Sequence, residues 1–332
     1  MHDSIVHLSD DLVQVRLPLP FALKIVNCYL VRDDDKWCIF DTGLHTPQAE
    51  NVWRAAFKQL DIRRGNISRI VLTHSHPDHY GMAGYLQRHF TDSRADKPPP
   101  VLVSEQEFRA AQTVFQHGVD LKPVMQQFLG QCGLPAQASE SILGNLADIR
   151  MATQPHPTRV EFLQPGQTLH VGQFRFEIIH TPGHADGHLV FYDPAHRLIL
   201  SGDHVLMFIT PNISQWPLSE ANPLGRYLHS LRQLQQLEVD LALPGHKKLI
   251  TNWRGRIVEL VAHHEERLSH MKNAINGGAT AFDVCTRVFD TDALSSHEMR
   301  FALTETLAHL EYLVKKEALQ KSDREVWRYS LP

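Results

Sequence analysis

The sequence predicts a layered α/β fold, and three observations carry that prediction. Short apolar strands alternate with helical stretches through the first hundred residues. Turns rich in histidine and aspartate recur where such strands end, the place where open α/β sheets collect ligands. The last quarter of the chain becomes almost wholly helical. At 332 residues, with 42% hydrophobic and 21% charged residues, the composition is that of a globular protein of about two domains.

Residues 25–31 and 37–40 read as strands either side of Asp33-Asp34-Asp35, and the second ends in Asp41-Thr42-Gly43. Behind Pro47, residues 47–60 place Ala49, Val52, Trp53, Ala56, Phe57 and Leu60 at helical spacing. A strand at 70–72 leads into Thr73-His74-Ser75-His76-Pro77-Asp78-His79, and 81–90 is the next helix. Residues 91–100 form a loop before a strand at 101–103. From 105 to 150 the strand signal disappears. Phe108, Ala111, Val114 and Phe115, then Val124, Met125, Phe128 and Leu129, then Ile142, Leu143, Leu146 and Ile149 predict three short helices. An insertion of that length reads as a helical lid over a site, with a plain connector as the alternative.

Strands return at 159–163, 167–171, 174–180, 189–193 and 198–202, followed by a helix at 224–237 and a strand at 241–243. Helices at 257–274, 282–289 and 296–318 precede a hairpin at 320–331 turning about Ser322-Asp323. The expected organisation is a catalytic domain over 1–254 and a winged-helix-like domain over 255–332.

Charge and cysteine usage narrow the function. Lys+Arg 33 against Asp+Glu 37 leaves −4, so nothing advertises a polyanion partner. Residues 256–332 carry ten basic against twelve acidic side chains, which disfavours nucleic-acid binding by the C-terminal unit. Packing on the catalytic domain, or in a homodimer, is expected instead. Cys28, Cys38, Cys132 and Cys285 lie far apart without a C-x-x-C pair, which excludes a cysteine zinc ribbon. Met1-His2-Asp3-Ser4 does not open a secretory signal and no apolar run is long enough to span a membrane, so a cytoplasmic protein is expected.

The chain has 22 histidines, and the decisive question is which of them cluster. His74-x-His76-x-Asp78-His79 offers three imidazoles and a carboxylate within six residues, a donor mixture suited to zinc, with iron or manganese as substitutes. Three single residues share its strand-end context: His184 in Thr181-Pro182-Gly183-His184, Asp203 in Ser201-Gly202-Asp203, and His246 in Pro244-Gly245-His246. Together they make seven ligands, enough for two ions sharing a carboxylate and a water.

With Asp41-Thr42-Gly43, these motifs stand in the order of the metallo-β-lactamase superfamily, which residues 10–254 resemble. The resemblance implies an αββα sandwich with a dinuclear centre, as in hydroxyacylglutathione hydrolases and related thioesterases. It places His74, His76 and His184 on one ion, Asp78, His79 and His246 on the other, and Asp203 between them. Asp41 would orient a ligand imidazole from behind, and His204 would border the site in a supporting role. His76 stands where flavodiiron proteins carry Glu, and no flavin domain is present. Residues 255–332 resemble the C-terminal appendage of one subgroup of these hydrolases.

Weaker candidates surround this set. His188 would orient the loop that carries His184. His263-His264-Glu265-Glu266 reads as a solvated helix face. Phe208, Asn212, Trp216 and Tyr80 are candidates to line a substrate cleft.

The chemistry expected is attack on a carbonyl by a hydroxide held between two divalent ions, with Asp78 moving a proton. A thiolate leaves more readily than an alkoxide, so the substrate expected is a small acyl thioester of the acyl-CoA or acylglutathione type. Lactone or ester hydrolysis, phosphodiester or RNA cleavage, and a non-enzymatic metal-bearing ligand sensor are the alternatives.

Overall fold

The computed structural model describes residues 4–91, 97–115 and 120–332, and for 145–149 the backbone alone. The side chains of Leu146 and Ile149, and part of the 91–100 loop, lie outside the described residues. Seven strands lie side by side in chain order: β1 (Ile5–Ser9), β2 (Leu12–Pro18), β3 (Ile25–Asp33), β4 (Lys36–Phe40), β5 (Ile67–Val71), β6 (Val101–Ser104) and β7 (Val160–Leu163). The first four are antiparallel, and from β4 onward the pairing is parallel. A second sheet holds β8 (Thr168–Val171), β9 (Phe174–His180), β10 (Leu189–Asp193), β11 (Leu198–Gly202) and β12 (Leu241–Pro244), again in chain order.

Strand alternation explains why two sheets stack with helices outside. Along β4, Cys38 and Phe40 face the space between the sheets, whereas Trp37 and Ile39 face outward. Along β10, Leu189 and Phe191 face inward, and Val190 and Tyr192 outward. Phe40 meets Phe176 and Phe191 edge-on at 5.5 and 5.2 Å, which locks the two inner faces. The outer face of the first sheet is covered by α1 (Pro47–Gln59) and α3 (Ala83–His89), and that of the second by α7 (Pro223–Leu234) and the start of α8 (Trp253–Asn273). The result is the expected αββα sandwich. Strands β1 and β2 went unnamed in the sequence, although Val13, Val15 and Leu17 alternate and all face the α1 side.

The helical insertion divides between two cores. Of its helices α4 (Glu105–Phe115), α5 (Lys122–Gln131) and α6 (Ala136–Met151), the first packs Ala111 and Phe115 on the sandwich. Met125, Phe128 and Leu129 of α5 and Ile142 and Leu143 of α6 instead share one core with α8, α9 (Ala281–Val288) and α10 (Ser296–Lys315). The chain therefore changes units inside α8. Trp253, Ile257 and Leu260 belong to the sandwich side, and Met271 to the C-terminal core. Reciprocal caps start α9 at Thr280/Asp283 and α10 at Ser295/Glu298. The closing hairpin, β13 (Gln320–Asp323) with β14 (Trp327–Ser330), turns after Asp323, slightly later than expected. Among the described residues, no helix is long and apolar enough to cross a membrane.

Candidate metal centre

All seven predicted ligands converge at one edge of the sandwich. His74 and His76 follow β5, Asp78 and His79 lie in the short helix α2 (Pro77–Tyr80), and His184, Asp203 and His246 follow β9, β11 and β12. The nitrogens of His74, His76 and His184 form one group and the donors of Asp78, His79 and His246 another, each within 4.8 Å. The rings of the first group sit 4.5–5.0 Å apart with interplanar angles of 74–85°, so three imidazoles meet nearly at right angles. Asp203 lies between the groups. Its oxygens stand 3.3 Å from His79 Nε2, 3.2 Å from His246 Nε2 and 3.7 Å from His184 Nε2. Around a tetrahedral ion with bonds of about 2.0–2.2 Å, neighbouring donor atoms stand about 3.3–3.6 Å apart. The observed spacings are of that size.

The far side of four of the five imidazoles is already committed. Nδ1 of His184 donates to the Asn212 carbonyl at 2.9 Å, and Nδ1 of His246 to the Ile25 carbonyl at 2.8 Å. His79 Nδ1 is 2.8 Å from an Asp41 carboxylate oxygen. His74 Nδ1 is 2.9 Å from Thr73 Oγ1, whose hydroxyl donates to Asp41. These partners set the tautomers and leave the Nε2 lone pairs facing inward. Asp41 thus stands behind His79, as expected, and does so from a left-handed backbone conformation, φ 57°.

The inward atoms face one another without hydrogen bonds. Nε2 of His74, His79, His184 and His246 and Oδ1 of Asp203 are buried and make no hydrogen bond. Five such atoms facing one another would be costly in a polar site without a cation, and bound cations would satisfy them together. Gly245 keeps the space open. A Cβ there would come within 2.3 Å of Asp203 Oδ1 and 2.7 Å of His79 Cε1.

The electrostatics divide the imidazoles. Burial, then neighbouring imidazoles, hold His74 well below its ordinary pKa, and burial with His184 takes His76 down to about 3. Burial opposes charging of His79 and His246, yet Asp203 and its neighbouring carboxylates outweigh it, raising both, His246 to about 10. Cations entering here would displace protons from the His79 and His246 side.

One supporting residue was not foreseen. Glu107, near the start of α4, is buried and accepts from Ser75 N at 2.8 Å, Ser75 Oγ at 2.5 Å and Gly187 N at 2.7 Å. It ties the loop between His74 and His76 to the loop after His184. His188 Nδ1 bonds Thr181 Oγ1 at 2.9 Å, and its Nε2 accepts from the Asp203 amide at 3.2 Å. It therefore positions Asp203 as well as its own loop. His204 sits further back than expected: its ring packs on His188 and Tyr227, and neither nitrogen has a hydrogen-bond partner among the described residues.

The C-terminal unit reaches the site through Asn212. While the Asn212 carbonyl holds His184, its side-chain amide donates to Glu305 of α10 at 3.0 Å. His264 is not on a solvated face: it is fully buried, and its Nδ1 lies 3.1 Å from Nε2 of buried His309. Helix α8 turns that residue inward beneath α10. Tyr80 is likewise core, packed on Phe115, so it does not line a cleft. Phe208 is exposed, and Trp216 is partly buried against Phe128.

Burial raises the Glu305 carboxyl to about 7, against partial relief from Arg267 and Asn212. The folded state therefore holds a proton that the unfolded chain releases near pH 4.5, and stability falls as pH rises from about 4.5 to 7. Glu305→Gln removes that dependence. Its melting temperature is expected to match the parent at pH 5 and exceed it at pH 8, as read by calorimetry.

Comparison with known proteins agrees with this geometry. Residues 22–246 match the family described as the metallo-beta-lactamase superfamily. The chain belongs to that superfamily. It is a metallo-hydrolase of that group, with a His/Asp cluster suited to metal. Residues 268–332 match the metallo-beta-lactamase-like C-terminal domain. A probable metallo-hydrolase of Bacillus subtilis, YqjP, is 26% identical over 320 residues, 94% of each chain. The hydroxyacylglutathione hydrolase GloC of Haemophilus influenzae is 30% identical over 56% of this chain and 69% of its own. Among solved structures, the family protein TTHA1429 of Thermus thermophilus aligns with a TM-score of 0.85 at 30% identity, over 98% of this chain and 100% of its own. A beta-lactamase domain protein of Burkholderia ambifaria gives 0.86 at 28% identity, over 99% and 94%.

Proposed function

We propose that this chain is a dinuclear-metal-dependent hydrolase of acyl thioesters. The observation that carries the proposal is the set of inward-facing, unpartnered donors shared by two ligand groups, with Asp203 between them. Two divalent ions, zinc by the donor set, would supply ionised water at neutral pH and draw electrons from a carbonyl. His74, His76 and His184 would hold one ion, and Asp78, His79 and His246 the other.

The chain's own residues favour water as the nucleophile. Cys28 is fully buried, and burial with Asp41 and Asp78 pushes its thiol well up, so it stays protonated and inert. Ser75 is clamped by Glu107. Asp78 has a carboxyl held low by His79 and His246 in spite of burial, so it stays ionised and has no proton to give a leaving group. A site without a strong acid suits a leaving group that needs little protonation, and a thiol ionises near pH 8.5. The Haemophilus relative, a hydroxyacylglutathione hydrolase by name, belongs to the same chemical class.

The test is thiol release from acyl-CoA and acylglutathione panels by zinc-loaded protein, beside lactone, ester and phosphodiester substrates. Thioesters are expected to lead, and His76→Ala is expected to lose at least about a thousandfold in kcat/KM, on the scale of other electrostatic catalytic groups. Turnover of phosphodiesters or esters with thioesters inert would overturn the assignment.

A further inference from the structure

Arg300 of α10 is partly buried, and among the described residues no carboxylate pairs with it. Its Nε is shielded from solvent and makes no hydrogen bond, and its one hydrogen-bond contact among the described residues is NH2 to His297 Nδ1 at 3.3 Å. Arg32 and Arg267 pack on aromatic rings, whereas three other partly buried arginines reach carboxylates. Arg226 reaches Asp186 and Glu220, Arg69 reaches Asp33, and Arg256 reaches Glu259 and two carbonyls. Arg300 has aromatic faces instead, with its guanidinium carbon 4.7 Å from the Phe301 ring centre and 5.5 Å from that of Trp216. Such contacts do not satisfy five N–H donors. Burial lowers its pKa to about 10, a sign that the charge is held at a cost.

Its location supplies the purpose. One turn earlier, His297 stacks on Phe21 from the loop between β2 and β3 at 5.1 Å. One residue later, the Phe301 carbonyl lies 3.4 Å from the amide of Asn212, the residue that holds His184. Arg300 therefore stands on α10 between the residue that stacks on the β2–β3 loop and the residue that meets Asn212, which holds His184. We propose that Arg300 binds an anionic group, carboxylate or phosphate, carried by the substrate away from its reacting carbonyl. The planar fork suits either anion, and Phe21, His297 and Trp216 would flank the chain that bears it. The assignment of the anion to a substrate rests on the hydrolase reading; anion binding itself does not.

Paired thiols separate the two. N-acetylcysteine and N-acetylcysteamine differ by a carboxylate, and phosphopantetheine and pantetheine by a phosphate. Titration calorimetry on zinc-loaded full-length protein is expected to show tighter binding of the charged member of at least one pair. The pair showing the preference names the anion. Arg300→Leu is expected to abolish that preference, a loss of about tenfold or more, while leaving the uncharged member unchanged. Arg300→Lys, which keeps the charge and the stem, is expected to retain part of it and guards against misfolding of the leucine variant. The acyl thioesters of the same thiols should repeat the pattern in KM. If calorimetry shows the Arg300-dependent preference but no thioester is cleaved, the anion site stands and the thioesterase reading fails. No charged-member preference in the parent, or one that survives in both variants, would overturn the anion site.

Discussion

Asp203→Ala is expected to reduce bound metal from two ions per chain to one or fewer and to lower hydrolysis by at least about a thousandfold. Asp203 is the one carboxylate within 3.7 Å of His79, His184 and His246, so its loss removes the link between the ligand groups. It would also bring two cations together without the anion that separates them. Elemental analysis after dialysis and a thiol-release assay read the two effects independently. Because the Asp203 amide, held by His188 Nε2, remains, the fold itself is expected to survive the change. A variant with full metal content and activity would show that Asp203 is not a ligand.

Glu107→Ala is expected to damage the same centre from behind. The substitution strands three buried donors, Ser75 N, Ser75 Oγ and Gly187 N, each costing about 1–3 kcal/mol when left unpaired. The losses are not additive, and a destabilisation of about 3–5 kcal/mol is expected in denaturant titration. Freed from that clamp, the His74–His76 loop and the loop after His184 should bind the first ion more weakly. Glu107→Gln retains an acceptor but turns an amide N–H₂ toward donors, so it should lie between alanine and the parent. Unchanged stability and metal affinity in the alanine variant would contradict the clamp.

The ligands were legible in the sequence because metal chemistry restricts residue type and strand ends restrict position. His184, Asp203 and His246 each follow an apolar run, and together with the 74–79 cluster they form a pattern that no single histidine provides. The layered α/β character was legible in the strand–helix rhythm, and the two-sheet sandwich in the resemblance that the motifs carry; β4 and β10, apolar on both faces, show their two sides only in the fold. What escaped were residues whose role depends on a distant partner. Glu107 stands three residues after Ser104 in a pattern that suggests an ordinary helix cap; its bonds to Ser75 and Gly187 arise from folding across 32 and 80 residues. His264 carries a polar sequence context, yet helix α8 passes beneath α10 and buries it. The helical insertion looked like a separate lid because its own apolar stripes are short. Phe128 and Leu129 find their core in the C-terminal unit, which lies more than 100 residues away in sequence. Deleting the insertion would therefore open that core and remove Glu107 as well.

The central claim is that two cations occupy the inward-facing donors. Zinc titration of metal-free protein, followed by inductively coupled plasma analysis and X-ray absorption at the zinc edge, tests it most directly. The account predicts two ions per chain with nitrogen and oxygen donors at about 2.0–2.2 Å and a metal–metal shell at about 3.5–4 Å. Absence of bound metal, or scattering from isolated ions with no metal neighbour at full loading, would contradict it.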